Sequence, residues 1–120
     1  MYELTVKSDF ASSHSLRDYQ GKCKNLHGHT WKVEVVFIGE QLNKTGMLID
    51  FTEIKKGLKE VVDALDHTHL NDLADFKELN PTSENISKYI FQQILKKLPS
   101  VKIKCVTVWE SENASATYYE

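Results

Sequence analysis

Residues 30–39, TWKVEVVFIG, alternate apolar and polar side chains and consist mostly of β-branched and aromatic types. Because successive residues of a strand point to opposite faces, this pattern predicts a strand with one buried face. Branched and aromatic side chains at every second position favour the same assignment. The residues on the buried face are Trp31, Val33, Val35 and Phe37. The rest of the fold is predicted from the elements that can pack beside this strand.

Three other stretches alternate in the same way. An earlier stretch, from Tyr2 to Phe10 or Ala11, predicts a strand that a polar loop separates from residues 30–39. Near the end of the chain, residues 101–110 and 114–119 flank a short polar loop, which predicts a hairpin. The chain therefore has two predicted pairs of strands. Cys105, at an apolar position of the third strand, is predicted to lie in the core.

Two helices are predicted between these pairs of strands. Asp50 is a suitable N-cap for the first, because apolar residues then recur from Phe51 to Leu65 at helical spacing. The segment 81–84 (Pro-Thr-Ser-Glu) opens the second with a hydroxyl cap, and Pro99 ends it. The order ββααββ predicts an α+β fold, an antiparallel four-stranded sheet with two helices on one face. Its open strand edges favour association with other copies.

The composition argues against several classes of protein. The chain has 120 residues without a repeat or linker, so residues 1–120 are predicted to form one domain. Fifteen Lys and Arg against seventeen Asp and Glu give a net charge of −2, unlike the basic surface of a nucleic-acid-binding protein. The longest apolar runs have four residues, too few for a membrane span, and the N-terminus lacks a signal-peptide pattern. We expect a cytoplasmic protein with Cys23 and Cys105 reduced.

The histidines form the sharpest local motif of the sequence. His27 and His29 are two residues apart, so in an extended chain their imidazoles emerge on the same face. If the first two strands pair antiparallel, His14 at the end of the first strand comes close to both. Three imidazoles suit zinc and leave a fourth position open, as in catalytic sites. The alternative is that all three are ordinary surface histidines.

Cys23, four residues before His27, has three interpretations. It is a small buried apolar residue, a fourth zinc ligand that closes a structural site, or a thiolate base beside the metal. The neighbouring Gly21, Lys22 and Lys24 favour an accessible side chain over a buried one. Spacing alone does not separate the second interpretation from the third.

Two further groups are candidates for proton transfer or ligand binding. Asp66-His67 is either a polar helix end or a pair in which the carboxylate fixes the tautomer of a proton-transferring imidazole. Glu110 has the parity of Val106 on the third strand, which would point it inward. A buried carboxylate needs donors, which a ligand with adjacent N–H groups supplies. The sequence alone favours a strand-end charge in water, and it assigns no role to His69.

Six segments of the chain, taken together, resemble the 6-pyruvoyltetrahydropterin synthase and 6-carboxytetrahydropterin synthase family. They follow the family's order at compatible separations and extend over nearly the whole sequence. The segments are 10–16 (FASSHSL), 23–29 (CKNLHGH), 46–51 (GMLIDF), 65–71 (LDHTHLN), 81–86 (PTSENI) and 106–110 (VTVWE).

The resemblance implies an assembly and a metal. It implies the tunnelling fold, in which strand edges of several copies associate into a barrel. The usual state is a homohexamer, and its active sites lie between subunits. The family's zinc ligands correspond to His14, His27 and His29 in this sequence.

The resemblance also implies roles for residues around the metal. Cys23 corresponds to the base that abstracts a proton, and Asp66 with His67 corresponds to the relay or acid. Glu110 corresponds to the anchor of the pterin. The residues that would line the same pocket are Thr82, Ser83 and Glu84.

The spacing of three residues between Cys23 and His-Gly-His resembles the bacterial 6-carboxytetrahydropterin synthases of queuosine and deazapurine biosynthesis. These convert 7,8-dihydroneopterin triphosphate to 6-carboxy-5,6,7,8-tetrahydropterin and release acetaldehyde and triphosphate. Leu26 argues against the folate-type variants, which carry Glu there, while Ser111 departs from the family's usual Thr. Three alternatives remain: a pyruvoyl-forming synthase, an enzyme that releases a 6-hydroxymethyl pterin, and a non-catalytic structural-zinc module. Candidates to bind the triphosphate are Arg17, Lys22 and Lys24.

Overall fold

The computed structural model describes residues 1–22 and 24–120. It confirms the α+β class, with two helices on one face of a largely antiparallel sheet. The helices are α1 (Phe51–Asp63) and α2 (Ser83–Lys97). The strands are β1 (Tyr2–His14), β2 (His27–Gly39), β3 (Thr68–His69), β4 (Ile103–Ser111) and β5 (Ala114–Tyr118).

Within the described residues, the sheet has five strands in the order β3-β1-β2-β4-β5, one more than predicted. The additional strand, β3, runs parallel to β1 and pairs Thr68 with Ser12 and His69 with Ser13. A two-residue strand is too short to produce an alternating pattern, so the sequence carries no signal for it. The strand nevertheless matters, because it brings the segment after α1 to the edge of β1.

β1 and β2 form a longer ladder than their apolar residues predict. Their antiparallel pairing runs without interruption from Tyr2 opposite Gly39 to His14 opposite His27. The predicted strands stopped at Ala11 and started at Thr30, because the residues beyond are polar. Ladder hydrogen bonds join backbone groups, so pairing continues where side chains become polar. As a result, the three candidate metal ligands lie on strands and not in a loop.

The helices begin where their caps predict. The Asp50 carboxylate accepts the backbone N–H of Thr52 at 2.8 Å, and the Thr82 hydroxyl accepts that of Asn85 at 3.1 Å. Both helices cover the face of the sheet on which Trp31 is completely buried. Among the described residues, no helix has the length and apolar character needed to cross a membrane.

A register shift in β4 decides which of its side chains face the helices. Cys105 pairs with Val36, but Ile103 pairs with Phe37, so one residue of β4 has no partner in the ladder. The shift buries both Ile103 and Val106, whereas Cys105 is only partly buried. The prediction that Cys105 lies in the core is therefore wrong, because strict alternation does not continue across a bulge.

Candidate metal centre and active site

The strand ends bring three imidazoles and one carboxylate together. His14 lies directly opposite His27 in the β1–β2 ladder, and His29 is one inward position further along β2. Ring centroids of the three histidines are 4.5 to 5.1 Å apart. Glu110 joins them from β4, and one potential ligand atom from each of the four residues lies within 4.8 Å of the others. We call these four residues the metal cluster.

Two backbone carbonyls orient the imidazoles. His14 Nδ1 donates to the carbonyl of Pro81 at 2.7 Å, and His27 Nδ1 donates to that of Asn25 at the same distance. Because a carbonyl only accepts, each Nδ1 carries the proton and each Nε2 presents a lone pair. The Nε2 atoms of His14, His27 and His29 are buried and have no hydrogen-bond partner among the described residues. Buried polar atoms without partners call for an explanation, and a cation between them supplies one.

Burial holds two of these histidines in the form that binds metal. His14 is 2% exposed, and desolvation lowers its pKa, although the Pro81 carbonyl opposes the shift. Desolvation also lowers the pKa of His29, against an opposing effect of Glu110. The completely buried Trp31 packs edge-on against both rings. A neutral imidazole can bind a metal ion, whereas a protonated imidazole cannot. The apolar surroundings of His14 and His29 therefore favour metal binding over protonation.

The donor set fits zinc. Three imidazole nitrogens with a fourth position beside them match a catalytic zinc site, and a carboxylate oxygen is also an accepted ligand. His14, His27 and His29 would hold the ion, and Glu110 lies next to it. The Glu110 side chain is 33% exposed and lies with Oε1 2.9 Å from His29 Nε2, so it contacts the histidines, whereas the sequence alone favoured a strand-end charge in water.

Asp66 and His67 contact each other outside the metal cluster. The carboxylate of Asp66 accepts the N–H of Ala11 at 2.8 Å and lies 2.9 Å from His67 Nδ1. The Ala11 hydrogen bond is the main reason that the pKa of Asp66 is lowered, so this carboxyl stays ionised. The structure therefore brings Asp66 and His67 together with each other, but not with the three metal-ligand candidates.

The backbone at His67 is unusual. Its φ is 55°, in the left-handed region, and its N–H donates to the carbonyl of Ala11 at 2.6 Å. Non-glycine residues in this conformation cost of order 1–3 kcal/mol and concentrate at functional sites. The turn presents the His67 side chain outward, 83% exposed, with Nδ1 2.9 Å from Asp66 and with no partner for Nε2 among the described residues. The exposed ring is therefore accessible to a molecule that approaches from outside this chain.

The segment at the start of α2, residues 81–84, borders the metal cluster through Pro81. Pro81 contributes the carbonyl that orients His14, a contact that no side-chain pattern signals. Thr82 uses its hydroxyl to cap α2, Ser83 is buried, and Glu84 is exposed. The three residues predicted to line a substrate pocket follow Pro81 directly in the chain, and the contact with His14 is made by the Pro81 carbonyl. Cys23, the predicted base, lies outside the described residues.

Arg17 has a structural partner that the sequence did not indicate. Its guanidinium donates to the carbonyls of Phe76 at 2.7 Å and Leu79 at 3.3 Å. Its own backbone N–H and carbonyl pair with the side chain of Asn80 at 2.8 and 2.9 Å. Arg17 thus stabilises the loop before Pro81 through hydrogen bonds. Its guanidinium has backbone partners, so it is not the free cation that the sequence suggested for triphosphate binding.

Replacing Arg17 with alanine is expected to lower the free energy of unfolding by about 2–3 kcal/mol, because charge-assisted hydrogen bonds to carbonyls would be lost. The matched control is Lys22→Ala, which removes an exposed cation and should change stability by less than about 0.5 kcal/mol. Urea unfolding followed by circular dichroism measures both. Equal stability of the two variants would contradict the role assigned to Arg17.

Known proteins resemble this chain over almost its full length. Dihydroneopterin monophosphate aldolase of Pyrococcus furiosus is 40% identical over 108 residues, which are 89% of this chain and 88% of the relative. The 6-carboxy-5,6,7,8-tetrahydropterin synthase of Haemophilus influenzae is 30% identical, with 100% of both chains covered. The 6-pyruvoyl tetrahydropterin synthase structure from Caenorhabditis elegans has a TM-score of 0.90 at 30% identity and covers 99% of this chain and 95% of that one.

These similarities confirm the resemblance seen in the six sequence segments. The family described as 6-pyruvoyl tetrahydropterin synthase matches residues 3–120. The match and the identities together allow one conclusion: the chain belongs to the 6-pyruvoyl tetrahydropterin synthase family.

Proposed function

We propose that this protein is a zinc-dependent carbon–carbon lyase that breaks the C1′–C2′ bond in the side chain of a dihydroneopterin phosphate. The preferred reaction converts 7,8-dihydroneopterin triphosphate and one water to 6-carboxy-5,6,7,8-tetrahydropterin, acetaldehyde and triphosphate. This product would serve queuosine or deazapurine biosynthesis in the cytoplasm. The observation that carries the proposal is the group of buried, unpartnered Nε2 atoms of His14, His27 and His29. The full-length similarity to 6-carboxy-5,6,7,8-tetrahydropterin synthases supports the choice of product.

The proposed chemistry needs a proton taken from one side-chain carbon and a proton delivered at another. Bound zinc would act as a Lewis acid that stabilises negative charge on a side-chain oxygen. Cys23 is proposed as the thiolate that removes the C–H proton, as the family resemblance implies. His67 would carry protons at the other carbon, because Asp66 fixes Nδ1 and leaves Nε2 free.

Substrate orientation is assigned to the residues around the metal cluster. The Glu110 carboxylate would accept the ring N–H and the adjacent amino group of the pterin, a bidentate charge-assisted contact. Glu110 Oε1 lies 2.9 Å from His29 Nε2, so a pterin held by this carboxylate would lie beside the metal cluster. The residues proposed to line the rest of the pocket are Thr82, Ser83 and Glu84.

Association of several copies, with a homohexamer expected, would complete the site. In the part of the chain that the structure describes, β3 pairs only with Ser12 and Ser13, so most of the outer edge of β1 has no strand beside it, and β5 is the other edge of the sheet. Exposed edges of this length are normally covered. The exposed His67 can then meet the metal cluster of a neighbouring copy.

A second candidate is retro-aldol cleavage of dihydroneopterin monophosphate, which yields a 6-hydroxymethyl dihydropterin and glycolaldehyde phosphate without added water. Two observations support this second candidate. The Pyrococcus furiosus relative named as a dihydroneopterin monophosphate aldolase is 40% identical. The Arg17 guanidinium also donates hydrogen bonds to backbone carbonyls, so one of the cations suggested to bind a triphosphate already has partners.

Product analysis by mass spectrometry separates the candidates. The zinc-loaded protein is incubated in parallel with the triphosphate and the monophosphate of 7,8-dihydroneopterin. We expect a carboxypterin and an equal amount of acetaldehyde from the triphosphate, whereas a hydroxymethyl pterin from the monophosphate would establish the aldolase. A pyruvoyl pterin would show that the C1′–C2′ bond survives. No product from either substrate, with zinc bound, would indicate a structural-zinc module and overturn the proposal.

A further inference from the structure

We propose that Asn71 and Asn80 are positioning residues for His14, the most buried histidine of the metal cluster. Each side-chain amide takes the place of a neighbouring strand and holds one residue of the segment that follows His14. Both asparagines lie outside the metal cluster, so they act on the metal through the backbone that carries the ligand. The inference rests on the metal site of the proposed function, but not on which pterin phosphate reacts.

Both asparagines make the same pair of hydrogen bonds. The Ser15 N–H donates to Asn71 Oδ1 at 2.9 Å, and Asn71 Nδ2 donates to the Ser15 carbonyl at 2.9 Å. The Arg17 N–H donates to Asn80 Oδ1 at 2.8 Å, and Asn80 Nδ2 donates to the Arg17 carbonyl at 2.9 Å. A carboxamide has an acceptor and a donor side by side, so it can satisfy both backbone groups of one residue, as a paired strand does.

The register of β3 against β1 explains why Asn71 contacts Ser15. β3 pairs His69 with Ser13, an offset of 56 residues. Asn71 has the same offset from Ser15. The backbone, however, leaves the sheet at Leu70, where a turn of 3-10 helix begins and a completely buried side chain enters the core. The side chain of Asn71, itself 8% exposed, therefore continues the pairing that the backbone of β3 begins.

The two amides complete one edge of the chain around His14. In a strand, the N–H and carbonyl of every second residue point to the same edge. Ala11 is paired on this edge, since its N–H donates to the Asp66 carboxylate and its carbonyl accepts the N–H of His67. Ser15 and Arg17 lie four and six residues further along, and the two asparagines supply the equivalent contacts. The edge is therefore held both before and after the metal ligand.

Asn80 also fixes the group that orients His14. It directly precedes Pro81, whose carbonyl accepts the His14 Nδ1 proton at 2.7 Å. The carbonyl of Asn80 accepts Nδ2 of Asn85 at 2.8 Å, which ties it to the first turn of α2. Residues 80–81 are therefore attached at two points, Arg17 and His14, to the chain that carries the ligand. Loss of the Asn80 amide would free the Pro81 carbonyl to move, and the imidazole with it.

These contacts matter because His14 is the last residue of its strand. Strand ends open most easily, since the ladder hydrogen bonds stop there. Two amide contacts beyond the end keep the last rung of the ladder, His14 opposite His27, closed. The imidazoles then keep the separation that one ion requires before the ion arrives, which raises metal affinity.

Cobalt binding tests this assignment without using activity. Wild-type protein, Asn71→Ala, Asn80→Ala and the control Asn43→Ala are titrated with Co²⁺ against a competing chelator. Asn43 is a matched control, because its Oδ1 accepts the N–H groups of Thr45 and Met47 in a turn beyond the opposite end of β2. We expect the first two variants to bind about tenfold more weakly, as is usual when partners that orient a metal ligand are lost. The control should remain within about twofold of the wild type, because distant sites are energetically independent.

Asn71→Asp separates positioning from charge. The new carboxylate would still accept the Ser15 N–H, but it would place a second acceptor against the Ser15 carbonyl. Added negative charge alone would strengthen the binding of a cation, whereas a displaced ligand weakens it. We therefore expect Asn71→Asp to bind Co²⁺ no better than Asn71→Ala, and tighter binding than in the wild type would contradict the positioning role.

Hydrogen exchange in the metal-free wild type measures the two contacts without any variant. The amides of Ser15 and Arg17 should be protected, although both lie beyond the end of β1. Rapid exchange at both amides would overturn the inference. So would wild-type Co²⁺ affinity in Asn71→Ala and Asn80→Ala proteins that thermal melts show to be folded.

The same measurements distinguish this inference from the proposed function. A wild-type protein that binds no Co²⁺ would refute the metal site, and with it both proposals. Weaker binding in the two asparagine variants, without product from either dihydroneopterin phosphate, would refute only the function. Product formation with equal affinities in all folded variants would refute only the positioning role.

Discussion

Replacing His14 with alanine is expected to remove metal binding and to lower turnover by at least about 1,000-fold. The estimate follows because a metal supplies several kcal/mol to a developing negative charge, and each 1.4 kcal/mol is a factor of ten. His14 is the most buried of the three imidazoles, and the Pro81 carbonyl fixes its orientation. Metal content by mass spectrometry and initial rates with the dihydroneopterin phosphates measure the two effects.

The matched control for this experiment is His69→Ala. His69 lies on β3 and pairs with the Ser13 hydroxyl at 3.1 Å, outside the metal cluster. This variant should retain one metal per chain. A folded His14→Ala protein that binds metal with wild-type affinity would show that the three-histidine site is wrong.

Mixing two inactive variants is expected to restore activity. His67→Asn should lose about 100- to 10,000-fold in rate while retaining metal, as is usual when a general acid or base is removed. If His67 acts on the metal cluster of a neighbouring copy, a mixed oligomer of His14→Ala and His67→Asn contains some intact sites. Random mixing of equal amounts predicts about one quarter of wild-type activity, since each of the two contributing subunits is the right variant half of the time.

The control for the mixing experiment is His14→Ala with His27→Ala. Both ligands belong to the same chain's cluster, so no combination of these two variants rebuilds a complete site. The variants are mixed in denaturant, refolded together and assayed at constant total protein. Recovery in the control, or no recovery in the His14→Ala and His67→Asn mixture, would contradict a site shared between subunits.

The parts of the site that the sequence predicts are those that depend on strand parity. His27 and His29 share a face because they are two residues apart, and antiparallel pairing then places His14 beside them. The same parity allows Glu110 to point inward, although the sequence alone favoured a strand-end charge in water. Alternation and helix capping likewise predict the two helices and four of the five strands.

Features that depend on backbone detail could not be predicted. The left-handed turn at His67 and the bulge at Glu110 arise from local φ and ψ values, for which these residue types give no distinctive signal. The carbonyl of Pro81 is a backbone group, so its contact with His14 has no side-chain signature. Arg17 shows the same limit, since a positive charge in a sequence does not reveal whether its partner is a phosphate or a carbonyl.

The position of the metal cluster at the end of the β1–β2 ladder has a consequence for how the protein matures. The completely buried Trp31 lies directly beneath the imidazoles, and the core extends from there along the sheet and both helices. A zinc finger cannot fold without its ion, because the ion replaces a core. Here the apolar core does not depend on the cluster, so we expect the chain to fold before a metal binds, and a metal at the cluster would then bind and dissociate as an ordinary equilibrium.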